Sequence, residues 1–218
     1  MTSGNTQLFD ILPFISVVNW TGTLYFALAP FQNGNASFDV SLKDDGGAYQ
    51  GGQDISAVNR SFSIYVLPVN HPPSFNLTNQ VVVVNESQIL NQTQSVSNFA
   101  TIVSLGPLDP WITNEDNQIL SFQLEPIIGF DLFASRPEIS VRNRTGTLHF
   151  QLIPFKNGNA TFNVSLRDDG GTDRGGQDTS LVSWDFEIAV LPVNQPPLFE
   201  LLKRYLFVYE TNHTNTTI

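Results

Sequence analysis

The sequence predicts an all-β protein assembled from β-sandwich units in tandem. Residues 9–75 return as residues 133–199 with a constant offset of 124 and no gap, and 42 of the 67 aligned pairs are identical. Short runs alternate apolar and polar residues with a period of two, and clusters of Gly, Asn, Asp and Pro separate these runs. A fixed long period is typical of one structural unit used in series. The function should therefore be sought in an array of units.

The motif PVNxPP sets the boundaries of the units. From one motif to the next, residues 74–197 form one complete unit. We expect residues 1–73 to be the C-terminal part of a preceding unit and residues 198–218 to be the start of the following one. In that alignment Phe199 and Glu210 take the places of Phe75 and Glu86. The chain is therefore expected to be a window on a longer protein.

Six runs of the complete unit are predicted strands, at 80–86, 98–106, 118–125, 145–154, 159–171 and 184–192. In the fifth run Phe162 and Val164 alternate with Asn163 and Ser165, which indicates one buried and one solvated face. The fourth and sixth runs alternate in the same way, with these apolar residues: Leu148, Phe150 and Leu152, then Trp184, Phe186, Ile188 and Val190.

Turn residues punctuate these runs at Asn157-Gly158, at Asp169-Gly170-Gly171 and at 175–176. No segment longer than ten residues has a helical period. Seven or eight short strands per unit predict a β-sandwich of the immunoglobulin or cadherin type. Prolines in the linker 192–197 fix φ and remove donors, so the units should be joined by a short, extended and stiff connection.

Composition excludes several classes of function. The net charge of −10 disfavours nucleic-acid binding and attraction to anionic lipid, because no basic patch is present. The chain contains no Cys, which excludes disulfides and thiolate metal sites. No apolar run reaches the roughly 18 residues that span a bilayer. We therefore expect neither a nucleic-acid partner nor direct membrane contact in this segment.

Asparagine supplies a signal for the cellular compartment. The chain has 20 Asn and eleven N-x-S/T sequons, where composition alone gives about three. The sequon asparagines are Asn19, Asn35, Asn59, Asn76, Asn85, Asn91, Asn143, Asn159, Asn163, Asn212 and Asn215. This excess indicates N-linked glycans and an extracellular or cell-surface location. The alternative is a polar, Asn- and Thr-rich sheet surface that creates sequons incidentally.

The segment 157–199, NGNATFNVSLRDDGGTDRGGQDTSLVSWDFEIAVLPVNQPPLF, resembles the cadherin-like tandem repeats of large adhesion and surface proteins. The resemblance extends through most of 74–197 and implies tandem immunoglobulin/cadherin-like β-sandwich repeats. It also implies calcium at the junctions, held by an acid that ends the first strand and by a linker Asn. The residues at those positions are Glu86 and Glu210 for the acid, and Asn70 and Asn194 for the linker. His71 and Gln195 stand where the family has a further linker Asp.

Acidic loops are a second candidate for calcium. The loop acids are Asp168, Asp169, Asp173 and Asp178, with Asp44, Asp45 and Asp54 in the first copy. Carboxylates on Gly-rich loops can supply the six to eight oxygens that calcium takes. The alternative is turn chemistry, since Asp bonds nearby backbone and Gly takes positive φ.

No catalytic constellation is evident, so we expect a non-enzymatic structural or adhesive module of a fibre protein. Its partners would be neighbouring repeats and other fibre or cell-surface proteins. One alternative is a carbohydrate-binding or spacer module of a secreted multidomain enzyme, in which Trp20 or Trp111 stacks on sugar. The third tryptophan, Trp184, lies on the core face of its strand and is expected to pack in the core. Another alternative is calcium-dependent homophilic adhesion.

Overall fold

The computed structural model describes residues 3–4, 6–107 and 115–210. About half of the described residues lie in β-strands, and the other regular elements are four 3-10 segments of three residues each. The strands are β1 (Ser3–Gly4), β2 (Phe9–Val18), β3 (Thr21–Leu28), β4 (Gly34–Val40), β5 (Arg60–Val66), β6 (Ser74–Leu77), β7 (Val81–Asn85), β8 (Thr93–Ser104), β9 (Ser121–Ile128), β10 (Phe133–Arg142), β11 (Thr145–Leu152), β12 (Gly158–Arg167) and β13 (Trp184–Leu191). Within the described ranges, no α-helix is long and apolar enough to cross a membrane.

Strands β6 to β13 form a two-layered sandwich. One sheet has the order β10-β11-β8-β6 and the other has the order β7-β13-β12-β9. Neighbours are antiparallel except for β7 and β13, which run parallel with Val81 opposite Glu187 and Val84 opposite Val190. The all-β sandwich predicted from the alternating runs is confirmed.

The core lies between the two sheets and is built from the alternating apolar residues. In β12, Phe162, Val164 and Leu166 are buried while Asn163 and Ser165 are only partly covered. The Phe186 ring stacks on that of Phe162 with centroids 5.5 Å apart. Each buried Phe or Leu contributes about 1.5–3 kcal/mol of transfer free energy, so this face supplies the main driving force for closing the sandwich.

Two strands of the sandwich are not among the six predicted runs. Strand β6 has four residues, too few for a period to show. Strand β10 contains Pro137, which argues against a strand because proline lacks the ladder donor. Its pairing with β11 shifts between Phe133 and Ser135 and again between Ser135 and Glu138. These irregularities accommodate the proline without a broken ladder.

The first copy of the repeat forms the same strands. Strands β2 and β3 have the bounds of β10 and β11 less 124, and all seven residue pairs of β4 with β5 match those of β12 with β13. Burial differs between the copies. The core-facing residues 24, 26 and 28 of β3 are 38, 42 and 44% exposed, whereas their counterparts Leu148, Phe150 and Leu152 are at most 1% exposed. In the second copy, β6 to β9 complete the sandwich that covers this face.

Candidate functional site

Polar clusters lie at both ends of the sandwich, where the chain enters and leaves it. We call the first the entry cluster (Asn70, His71, Glu115, Gln118 and Asp168). We call the second the exit cluster (Glu86, Asn157 and Gln195).

The linker 68–73 is fixed to the sandwich through the entry cluster. The Asn70 Nδ2 donates to Asp168 Oδ1 and to the Gln177 carbonyl, both at 2.8 Å. The Gln177 amide donates back to the Asn70 carbonyl at 3.1 Å. Arg174 Nε donates to the Pro68 carbonyl at 2.9 Å. The linker is therefore held at several points by the loop after β12.

The sequence DDGG gives this loop its shape. Asp168 directly follows β12, and its Oδ1 accepts from the Gly170 amide at 2.9 Å, which closes a tight turn. A Cβ at position 170 would collide with the side-chain amides of Asn70 and Gln118. Gly171 adopts a φ of +78°, in the left-handed region that favours glycine. Gly170 thus leaves room for the linker to approach, and Gly171 permits the backbone conformation of the turn.

Glu115 and Gln118 bind the other side of the linker. Glu115 Oε1 accepts from the His71 backbone amide at 3.1 Å and lies 2.9 Å from His71 Nδ1. Gln118 Nε2 donates to Asn70 Oδ1 at 2.6 Å. The His71 ring also meets the Phe31 ring of the first copy edge-on, with centroids 5.1 Å apart. The entry cluster therefore joins the two copies of the repeat.

Three buried oxygens of the entry cluster have no hydrogen-bond partner: Glu115 Oε2, Gln118 Oε1 and Asp168 Oδ2. Glu115 and Asp168 are each only 4% exposed. Burial raises the pKa of the Asp168 carboxyl, against the lowering effect of its hydrogen bonds from Gly170 and Asn70. A cavity of about 190 Å³ adjoins Asn70, Glu115 and Gln118. An unpaired buried carboxylate oxygen costs about 1–3 kcal/mol, so the cluster has room and a reason to accept a donor or a cation.

The unpartnered oxygens of this cluster are of the chemical kind that calcium binds. All three unpartnered atoms are carboxylate or amide oxygens, which hard cations prefer. Two carboxylates and one amide are fewer than the six to eight ligands that calcium takes, so waters or backbone carbonyls would complete the shell. The part of the chain that the structure describes has no group of three or more His, Cys, Asp or Glu that could hold a metal ion.

The exit cluster is organised around Glu86, whose side chain is also largely buried. Its carboxylate accepts from Asn157 Nδ2 at 2.8 Å and from Gln195 Nε2 at 3.3 Å. The hydrogen bond from Asn157 is the largest cause of a lowered pKa for this carboxyl, and the Val193 backbone and Gln195 add to it against the effect of burial. Within the described part of the chain, the Glu86 carboxylate is thus stabilised by neutral donors.

The predicted calcium ligands do not form one site. Asn157 precedes β12 and Asp168 follows it, and ten strand residues separate the two clusters by about 30 Å. Because Asn70 contacts Asp168 and Glu86 contacts Asn157, a junction site that combines Asn70 with Glu86 is incorrect.

Three other predicted ligands lie outside both clusters. Asn194 and Glu210 are exposed. Asp44 is exposed as well. Its Oδ1 accepts from the Gly46 amide at 2.9 Å, so Asp44 makes a turn equivalent to the one at Asp168. The remaining acids of these loops include Asp54 and Asp178, which pair with Lys43 and Arg167. Turn chemistry thus accounts for the acidic loop of the first copy.

Glu115 and Gln118 were not among the predicted site residues. They belong to the segment 115–118, which has no repeat partner in the chain and no recognisable motif. Only the packing of this segment against the linker brings them to Asn70 and His71. A single sequence carries no signal for that contact.

The sequons lie mostly on accessible surface. Eight of the predicted acceptors are exposed: Asn19, Asn35, Asn59, Asn76, Asn85, Asn91, Asn143 and Asn159. Asn163 is only partly exposed, and its Nδ2 donates to Asp185 Oδ1 at 2.7 Å and to Ser183 Oγ at 3.1 Å. Asn212 and Asn215 lie outside the described residues. Eight positions could therefore carry a glycan without repacking the sandwich.

The tryptophans differ in exposure. Trp20 is fully exposed in the turn between β2 and β3, where its φ is +64°. Trp184 packs against the core, and its Nε1 donates to the Phe75 carbonyl at 3.4 Å. Trp111 lies outside the described residues. Of the described tryptophans, Trp20 is the one placed to stack on a ligand from solvent.

Comparisons with known proteins give fold-level similarity only. No family model matches the chain, and no curated protein matches it. Among solved structures, the chain is similar to human mucin-like protocadherin EC1-2, at 16% identity over 82% of this chain and 78% of that one, with a TM-score of 0.42. It is also similar to an endo-fucoidan hydrolase of glycoside hydrolase family 107, at 13% identity and a TM-score of 0.29, covering 87% of this chain and 27% of the hydrolase.

Proposed function

We propose that this chain is a non-enzymatic structural and adhesive segment of a large glycosylated fibre protein, outside the cell or at its surface. In this proposal residues 74–197 are one complete repeat, residues 1–73 are the end of the repeat before it, and residues 198–218 begin the next. Its partners are neighbouring repeats and other fibre or cell-surface proteins.

The observation that carries this proposal is the fixed linker. A connection that only tethers two units would make few contacts with either of them. Here Asn70, His71 and the Pro68 carbonyl all hydrogen-bond to the following sandwich. A repeated unit with a fixed connection transmits orientation along the chain, which suits a stiff fibre.

The exposed sequons support a secreted location. Their acceptors lie on outward faces and turns, so glycans would cover the sheets without entering the core. Such a coat would also block edge-to-edge pairing of neighbouring sheets.

Two measurements on the chain secreted from eukaryotic cells test the proposal. The chain should lose mass on treatment with an N-glycosidase, and an unchanged mass would reject the secretory location. Small-angle scattering should give one extended shape, which the double variant Asn70→Ala, Arg174→Ala broadens into a flexible ensemble. Asn194→Ala, at the same repeat position but exposed, is the matched control and should scatter like the unaltered chain. Equal scattering from all three proteins would reject the fixed linker.

Calcium-dependent adhesion is a second candidate, favoured by the unpartnered oxygens of the entry cluster. Glu115, Gln118 and Asp168 would hold the ion, which would neutralise the two buried carboxylates. Beads coated with the chain should then aggregate in calcium and disperse in EGTA. Aggregation that is equal in both would remove calcium from the adhesive mechanism.

Carbohydrate binding is a third candidate, favoured by the exposed Trp20. Aromatic side chains of this kind present an apolar face to a ligand. Binding on a glycan array that is lost in Trp20→Ala would support this function. An array without signal would reject it for the described surface.

A further inference from the structure

We propose that an N-linked glycan on Asn76 lies against the indole ring of Trp184 and covers an apolar groove beside it. The proposal rests on the secretory location proposed above, because it needs the sequon Asn76-Leu77-Thr78 to be glycosylated. It goes beyond that function by assigning a defined position and a stabilising role to one glycan.

Trp184 reaches from one sheet of the sandwich to the other. It is the first residue of β13, and its ring packs against the core while remaining partly exposed. Its Nε1 donates to the carbonyl of Phe75 in β6 at 3.4 Å. Because Asn76 directly follows Phe75 and is exposed, the attachment point of the glycan lies beside the ring.

Two surface cavities adjoin both residues. One has a volume of about 330 Å³ and the other a volume of about 550 Å³. Among the residues that line them, Asn76 and Trp184 are common to both cavities. Both volumes fall in the range of about 300–1,000 Å³ that sites for small ligands have. The first sugars on Asn76 therefore have room beside the ring.

The smaller cavity is the apolar groove. Its wall includes Leu181, which is 78% exposed, and Val182, which is 56% exposed. The linker residue Pro72 also lines it. A pyranose ring has a face of C–H groups, and N-acetylglucosamine adds a methyl group, so this sugar can pack on an indole ring and on aliphatic side chains. The glycan would remove this apolar surface from water and so favour the folded state.

The larger cavity offers polar groups to the same glycan. It is lined by residues 76–80 together with Trp184, and the side chains of Asn79 and Gln80 are exposed amides. An amide side chain both donates and accepts hydrogen bonds, as sugar hydroxyls require. Trp184 would thus meet the apolar face of the sugar, and the amides its hydroxyls.

Covalent attachment favours this occupant over a free carbohydrate. Because Trp184 is only partly exposed, a free sugar would gain a small contact there. A sugar bonded to Asn76 is held near the ring at a high effective concentration, so even a weak contact is populated. In the first copy, Ala57 and Arg60 take the positions of Leu181 and Trp184. The apolar wall is therefore a feature of the complete unit.

Thermal unfolding of the chain secreted from eukaryotic cells tests the proposal. Asn76→Gln should lower the melting temperature by about 2–6 °C, the effect of losing one aromatic contact. The matched control is Asn85→Gln, which removes an exposed sequon that lines neither cavity and should shift the melting temperature by less than about 1 °C. In protein made in bacteria, without glycans, both variants should melt like the unaltered chain. Equal shifts for the two secreted variants, or the same loss for Asn76→Gln without glycans, would overturn the proposal.

Acrylamide quenching reports on the ring itself. In a chain that carries Trp20→Phe and Trp111→Phe, the tryptophan fluorescence comes from Trp184. Asn76→Gln should increase the quenching of this fluorescence in the secreted protein, because it uncovers one face of the ring, and Asn85→Gln should leave it unchanged.

Glycopeptide mass spectrometry on the same samples separates this inference from the proposed function. Glycans at other sequons with Asn76 unoccupied, or an occupied Asn76 whose removal leaves quenching unchanged, would overturn the inference and leave the proposed function standing. A secreted chain without glycan at any sequon would overturn both.

Discussion

Replacing Asp168 by Asn should stabilise the sandwich in the absence of calcium. The carboxylate is 4% exposed, with one oxygen bonded to Asn70 and Gly170 and the other unpaired. An Asn keeps an acceptor for both bonds and places an NH₂ group in a cluster where two further oxygens lack donors. Burial already disfavours the ionised form, which is why the pKa of this carboxyl is raised.

The expected magnitude follows from two opposing effects. Two charge-assisted hydrogen bonds become neutral ones, which costs about 1 kcal/mol each. Removing a buried and half-paired ion regains several kcal/mol of desolvation. The net gain is about 1 kcal/mol, or roughly 3–5 °C in melting temperature for a unit of this size. The matched control is Asp44→Asn. Asp44 is exposed and makes the equivalent turn in the first copy, so its substitution should change stability by less than about 0.5 kcal/mol.

Calorimetry at pH 7 in EGTA and in calcium measures both effects. In EGTA the Asp168→Asn variant should melt above the unaltered chain. If the entry cluster binds calcium, the free energy of unfolding of the unaltered chain should increase in calcium, by up to about 2.7 kcal/mol at a calcium concentration one hundred times the dissociation constant. The free energy of unfolding of the variant should not change. A variant that melts below the unaltered chain in EGTA would refute the claim that burial of Asp168 outweighs its hydrogen bonds.

Three further predictions concern the core, the glycans and pH. Phe186→Ala should cost about 3–5 kcal/mol in chemical denaturation, and Phe62→Ala at the same repeat position clearly less, because Phe62 is only partly buried; equal costs would contradict the burial difference between the copies. Mass spectrometry of secreted glycopeptides should show higher occupancy at Asn159 than at Asn163, whose amide is engaged by Asp185 and Ser183; the reverse order would disprove this ranking. Because the pKa of Glu86 is lowered in the folded state, its contribution to stability is present above the ordinary carboxyl pKa and is lost as pH falls through the lowered value. Glu86→Gln should therefore make the free energy of unfolding fall less steeply at acid pH, and an unchanged acid dependence would contradict a stabilising role for the Glu86 carboxylate.

The fold could be predicted from the sequence because its strands carry a strong local signal. The alternation of Phe162, Val164 and Leu166 with polar residues identifies both the strand and its buried face. Strand β10 gives no such signal, since Pro137 breaks the pattern and irregular pairing restores the fit. Local patterns predict regular strands, and they do not predict irregular pairing that depends on a partner.

The site was only partly predictable. Asn70 and Asp168 could be named because each recurs in both copies within a recognisable motif. Their contact across 98 residues, and the approach of Glu115 from an unrepeated segment, are set by tertiary packing. The placement of Glu86 at the opposite end follows from the length of β12, which a motif search ignores.

The parallel pairing of β7 with β13 has a mechanical consequence. These are among the first and last strands of the sandwich, and the chain enters and leaves it at opposite ends. A force that pulls the two ends apart acts along both strands in opposite directions, so it loads their ladder in shear. The bonds from 81–85 to 187–191 then share the load and must rupture together instead of opening one after another like a zipper. A filament built from such modules would resist stretching until whole domains give way, one at a time.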